Sequence, residues 1–151
     1  MRAGEALRAD RRAAEEHRLQ VKLVRRCSAI VSGHFKRVAN LKQKKNIIVD
    51  PPNYTPEQLY AIISQRIGTP CQYCGKILTV DNFEIDHSIP IDRGGRFVLE
   101  NSDVITDSCN KQKNNLTGVE FQMLMDLLNT FPKEAKADAL RRLAAGGRMF
   151  R

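Results

Sequence analysis

The stretch FEIDHSIPIDRGGRFVLENSDVITDSCNKQK, residues 83–113, gathers the side chains of this chain that could do chemistry. Asp86 and His87 are adjacent, Gly94 and Gly95 mark a turn beyond them, Asn101 follows His87 by fourteen residues, and Asn110 follows Asn101 by nine. Asp86 offers a hard oxygen ligand, Asn110 a second through its amide carbonyl, and His87 a proton acceptor. Mg²⁺ (or Mn²⁺) favours oxygen ligands and keeps several waters, so one carboxylate and one amide suffice if a substrate oxygen joins them. An imidazole with an ordinary pKa of about 6.5 is mostly neutral at physiological pH and can take a proton from water. A cation to neutralise charge growing on a phosphate, and a base for the attacking water, are the needs of phosphodiester hydrolysis.

The elements that must position these groups can be read around them. Phe83 to His87 alternates apolar and polar as a half-buried strand does, and Pro90 prevents its continuation. Val104-Ile105-Thr106 reads as the returning strand, and Asp107 or Ser108 can cap a helix starting near Cys109. A hairpin followed by a helix brings Asp86, His87 and Asn110 together. Strict alternation would put Asp86 and His87 on opposite faces, so the strand is expected to bend or bulge near His87. Upstream, Cys71 and Cys74 form C-x-x-C followed by Gly75-Lys76, a turn rather than the helix of a redox motif, which favours metal. Thr55-Pro56-Glu57-Gln58 supplies an N-cap, a first-turn proline and a capping-box partner for a helix through Leu59, Ile62, Ile63 and Ile67, stopped by Gly68. Thr117-Gly118-Val119-Glu120 is a second capping box, opening a helix through Phe121, Leu124, Met125 and Leu128. A last helix covers about 133–145, followed by a short basic tail. Residues 46–49 could form a short strand before the break at Asp50-Pro51-Pro52-Asn53.

With 151 residues, 42% apolar and 28% charged, the chain can bury one modest core. Its net charge of +8 is unevenly spread: residues 1–49 hold thirteen Lys and Arg against four acids, while the remainder hold twelve against thirteen. Leu19, Leu23, Cys27 and Ile30 follow helical spacing, continued after Gly33 by Phe35, Val38 and Leu41, with Arg25, Arg26, Lys36 and Arg37 among the flanking cations. Like charges at this density repel unless a polyanion neutralises them, so these four are candidate DNA contacts. Residues 2–18, rich in Arg, Ala and Glu, can form an exposed helix but bury little. No apolar run has the length of a membrane span and the amino terminus lacks the pattern of a secretion signal, so an intracellular protein is expected, with no membrane partner.

The motif resembles the HNH, or ββα-metal, endonuclease superfamily, whose pattern runs Asp-His, a glycine loop, a central Asn, and C-x-x-C followed by His or Asn with a Lys three residues on. Asp86, His87, Asn101, Cys109, Asn110 and Lys113 fall at those positions, and Asn110 makes this the His-Asn-Asn form, similar to the HNH domain of RNA-guided CRISPR nucleases and to many phage endonucleases. The resemblance implies that His87 is the general base, that Asp86 and Asn110 hold the catalytic metal, and that Asn101 fixes the loop so that His87 points at the water. It implies products with a 5′-phosphate and a 3′-hydroxyl. Thr106 departs from the pattern by standing where a second C-x-x-C would begin, leaving Cys71, Cys74 and Cys109 one ligand short of a four-coordinate structural Zn²⁺. Asp107, Cys27 or His34 could complete the set, or packing alone could hold the hairpin.

The expected fold is α+β and predominantly helical: a ββα-metal core with flanking helices and a basic amino-terminal helical arm. The expected division is a DNA-binding arm over 1–50, a nuclease core over 51–131, and a carboxy-terminal helix and basic tail over 132–151, the arm holding DNA and the core cutting it. Arg93, Arg96, Lys111 and Lys113 lie close enough in sequence to the motif to meet phosphates. The expected function is a metal-dependent DNA endonuclease of the phage or intron-associated homing type. Packaging, restriction, and a non-catalytic DNA-binding or assembly module on the same scaffold are the alternatives. A homodimer or a phage protein partner would accompany some of these roles.

Overall fold

The computed structural model describes residues 2–146; the basic tail lies outside them. Five helices surround one two-stranded antiparallel sheet among these residues: α1 (Arg2–Lys45), α2 (Pro56–Arg66), β1 (Phe83–His87), β2 (Ser102–Thr106), α3 (Asp107–Lys113), α4 (Gly118–Leu128) and α5 (Lys133–Ala144). The fold is the helical α+β arrangement expected from the sequence, with β1, β2 and α3 as its ββα centre.

Helix α1 is continuous for 44 residues and spans about 66 Å at 1.5 Å per residue. Its amino-terminal part is exposed, as its want of an apolar face requires, whereas Leu23, Cys27, Val31 and Leu41 are buried against the core. The inward line runs through His34 and Val38; Phe35, placed on it by sequence spacing, is 47% exposed. Asn46 ends the helix with φ of 53°. Residues 46–49 form no strand, and Ile48 is exposed, because the two-stranded sheet has no place for them.

Both capping boxes form. Thr55 Oγ1 accepts from Gln58 N at 3.2 Å while Gln58 Oε1 accepts from Thr55 N at 2.9 Å. Thr117 and Glu120 repeat the exchange at 3.2 and 3.0 Å. These caps fix where α2 and α4 begin, and Leu59, Ile63, Phe121 and Met125 then point into the core. Helix α3 begins one step earlier than expected: its cap is Thr106, whose Oγ1 accepts from Cys109 N at 3.3 Å, rather than Asp107 or Ser108.

The strands pair residue for residue, from Phe83 opposite Thr106 to His87 opposite Ser102. The expected bulge near His87 is therefore absent from the ladder. A bulge is unnecessary because His87 is the last paired residue, and the chain departs from the sheet at Ser88. Arg26 fastens α1 to this hairpin, donating to Val80 O at 2.7 Å and Phe83 O at 3.0 Å with its guanidinium 3.9 Å from the centre of the Phe83 ring. The arm thus shares one apolar core with the sheet and α2.

Candidate active site

The end of β1 opens into a polar cleft of about 230 Å³, bordered by Asp86 and His87 of β1, Asn110 of α3, and His34 and Arg37 of α1. Asp86 and His87 reach it from either side of the strand end, so regular alternation is compatible with one site. Both are buried, at 6% and 9% exposure. Buried polar atoms are normally hydrogen-bonded, yet His87 Nε2 and Asp86 Oδ2 have no hydrogen-bond partner. Two unsatisfied acceptor positions on one cleft mark where a cation and a water can be held.

Lys113 is fully buried beneath this cleft. Its ammonium donates to Asp86 Oδ1 and to the His87 carbonyl, each at 3.2 Å, and lies 3.1 Å from Asp86 Oδ2 but off the bonding direction. A residue so enclosed cannot meet a DNA phosphate, and Lys113 is instead an internal counter-ion. Asp103, opposite Asp86 in the ladder, shares its charge. Burial raises the pKa of both carboxyls, and the Lys113 ammonium opposes that rise in each. Sequence reasoning missed Asp103; its place opposite Asp86 follows only once the register is known.

Burial pushes the His87 pKa down to about 3, with the charges of His34, Arg37 and Lys113 acting in the same direction. His34 is likewise held down, at about 4, by burial and by Arg37. Both imidazoles are therefore neutral at physiological pH. The rings of His34 and His87 are 5.0 Å apart, and Phe97 packs against both, at 5.1 and 4.9 Å. The signal for His34 was present in the sequence: it continues the inward line Cys27, Val31, Val38, Leu41.

Asn101 closes the loop between the strands. Its Oδ1 accepts from Ile89 N at 2.8 Å, and its Nδ2 donates to Ile89 O and Arg96 O, each at 3.0 Å. The loop is drawn so tight that a Cβ on Gly95 would lie 1.8 Å from the Ile89 oxygen. Gly118 N donates to Ser88 O at 2.8 Å, tying α4 to the residue that follows His87.

The other candidate cations are dispersed. Arg93 pairs with Glu120 and reaches Asn115 O at 3.3 Å, and Arg96 pairs with Asp50 at 2.8 Å. Arg26 is committed to the Val80 and Phe83 carbonyls, which makes it a fastening of the arm rather than a free DNA contact. Arg25, Lys36 and Lys111 are exposed, and Arg37 stands at the cleft 3.5 Å from Asp92.

Behind the sheet, the sulfurs of Cys71, Cys74 and Cys109 all lie within 4.8 Å of one another. Cys71 and Cys109 are 3.9 Å apart, too far for a disulfide and close to the edge of about 3.8 Å expected of a tetrahedron with Zn–S bonds of about 2.3 Å. Asp107, Cys27 and His34 do not join the group among the described residues. Thr106 Oγ1 stands at the remaining side, 3.6 Å from Cys74 Sγ and 3.9 Å from Cys71 Sγ. Burial would raise the Cys71 thiol, but backbone N–H groups around it, those of Cys74, Tyr73 and Thr106, outweigh that and leave its pKa at about 7. Cys109, deeper, is pushed up to about 12 by burial. The donor set fits a soft, thiolate-binding cation.

Residues 71–125 match the HNH endonuclease family. The matched region runs from the cysteine knuckle across the ββα unit and into α4. No curated protein matches the chain. Among the described residues, no helix is long and apolar enough to cross a membrane.

Proposed function

We propose that this protein is a divalent-metal-dependent DNA endonuclease. The observation that carries the reading is a pair of buried atoms without a hydrogen bond, His87 Nε2 and the Asp86 Oδ2 that Lys113 faces as a counter-ion, on a cleft shared with Asn110 inside the HNH segment. Asp86 and Asn110 are the oxygen donors that would hold Mg²⁺ or Mn²⁺, which when bound supplies Lewis-acid stabilisation of charge on the phosphate and the leaving oxygen. His87, neutral and buried, accepts the proton of the attacking water. The water oxygen bonds to phosphorus as the bond to the 3′-oxygen breaks and that oxygen takes a proton from solvent, leaving a 5′-phosphate and a 3′-hydroxyl. Lys113 opposes the effect of burial on the Asp86 carboxyl and orients it from below. Asn101 holds the loop that sets the end of β1.

The knuckle of Cys71, Cys74 and Cys109 is proposed as a structural Zn²⁺ site with the Thr106 hydroxyl at its fourth side. DNA is the proposed substrate, held by the exposed cations of α1 and α3. Arg25 and Lys36 are eleven residues apart, which places them within about 20° of one another around α1. The helix is as long as roughly two turns of duplex, a reach that suits the long, loosely read target of a phage or intron-associated homing enzyme.

The test is incubation of supercoiled plasmid with the protein in Mg²⁺, Mn²⁺ or EDTA. Nicking in either metal and none in EDTA is expected. DNA binding without cleavage in both metals would reject the enzyme reading in favour of a binding or assembly module.

A further inference from the structure

Helix α1 enters the cleft as well as bracing the core. His34 and Arg37 border it beside Asp86, His87 and Asn110, although they precede the HNH segment by more than thirty residues. A phosphodiester brings a negative charge that grows during hydrolysis, and the cleft carries two carboxylates of its own, Asp86 and Asp92. Lys113 offsets Asp86 but is sealed beneath the surface. Among the described residues bordering the cleft, Arg37 is the one with a permanent positive charge. Among the described residues its ion pair is with Asp92 at 3.5 Å, and both side chains are about half exposed, 44% and 50%, so a phosphate can displace that pairing readily. A guanidinium presents two parallel donors to phosphate oxygens.

His34 is held more firmly. Its Nδ1 lies 2.5 Å from the hydroxyl of Tyr54, which is buried, and its ring lies 5.0 Å from that of His87. This hydrogen bond holds the ring whichever partner donates, Tyr54 to an unprotonated Nδ1 or a protonated Nδ1 to the Tyr54 oxygen. Tyr54 and Phe97 thus fix one imidazole, and that imidazole limits how the ring of His87 can turn.

We propose that α1 completes the active site: Arg37 is a catalytic residue that binds the scissile phosphate, and His34, fixed by Tyr54, is a positioning residue for His87. This inference rests on the nuclease reading above. The full-length protein would be assayed for single-turnover cleavage of labelled duplex DNA in Mg²⁺, with affinity measured separately in Ca²⁺ and folding checked by thermal melts. Arg37→Ala should slow cleavage at saturating enzyme by roughly 100-fold while affinity changes by no more than about threefold. Added guanidinium should restore part of the rate, and Arg37→Lys should fall between the two. His34→Gln should slow cleavage by roughly tenfold, and adding Tyr54→Phe to it should bring no further loss. Weaker binding of Arg37→Ala with an unchanged rate at saturation would overturn the assignment, as would independent, multiplying losses from His34→Gln and Tyr54→Phe. Cleavage by the wild type with normal rates in all these variants would sink this inference alone. A wild type inert in both Mg²⁺ and Mn²⁺ would sink the nuclease reading and this inference with it.

Discussion

The buried ammonium of Lys113 is the residue on which the site's electrostatics turn. It faces Asp86 across 3.1 to 3.2 Å and opposes the rise that burial imposes on the pKa of both Asp86 and Asp103, which sit opposite one another in the ladder. Removing one partner of a buried ion pair costs about 3 to 5 kcal/mol, since the other charge is left uncompensated. Lys113→Met should therefore lower stability by about that amount at pH 8, measured by urea denaturation. The loss should shrink at pH 5, because a carboxyl whose folded pKa is raised stabilises less as pH rises. A variant as stable as the wild type at both pH values would contradict this role. His34 and His87 give the opposite slope. Their folded pKa values, about 4 and about 3, lie below the unfolded value of about 6.5. Between these limits the unfolded chain binds more protons, so their contribution is complete above about pH 6.5 and is lost on acidification toward pH 4 and 3. Thermal melts should show this decline, and His34→Gln should flatten it; an equally steep profile in the variant would count against the assignment. The ordinary imidazole pKa suggested that His87 would become protonated below about pH 6.5, and burial moves that limit down.

At the scale of elements, the proposed zinc site makes the most direct prediction. The purified protein should hold one zinc per chain, and its removal by a chelator should lower the melting temperature, because structural zinc contributes on the order of 10 kcal/mol in small modules. Cys109→Ser should abolish retention. Thr106→Cys should tighten it while losing the α3 cap, a cost of about 1 kcal/mol. Zinc-free protein with an unchanged melting temperature would leave packing as the support of the hairpin. The elements themselves were legible wherever a local signal existed. Thr55-Gln58 and Thr117-Glu120 announce α2 and α4, and the alternation of Phe83 to His87 announces β1. What escaped was set by tertiary contact. Arg26 looks like any surface cation until Phe83 lies beneath it, and Lys113 like a phosphate contact until α3 is folded onto β1. Residues 46–49 have strand-forming types but no strand to pair with. The bulge expected at His87 arose from treating the strand as unending, whereas its last residue needs no distortion to face the cleft.

On the scale of the whole molecule, the arm and the core are one packed body. Leu23, Cys27, Val31 and Leu41 belong to the same buried cluster as Phe83, Ile105 and Leu59. Deleting residues 1–49 would therefore open the core as well as remove the proposed DNA contacts, and point substitutions on the exposed face are the cleaner probe. Arg25→Ala and Lys36→Ala should each weaken DNA binding across sequences and reduce the slope of log affinity against log salt by roughly 1. Slopes equal to that of the wild type would place the DNA elsewhere. Among the described residues the side chains of the candidate active site form one cleft, and a single site of the proposed kind would cut one strand, so double-strand cleavage would need two protomers or two successive events. The proposed chemistry depends most on His87 being its base. Plasmid nicking by His87→Ala in Mg²⁺, with DNA affinity measured in parallel, tests that directly. A rate lower by roughly 10²- to 10⁴-fold with affinity retained is expected; nicking at the wild-type rate would contradict that role.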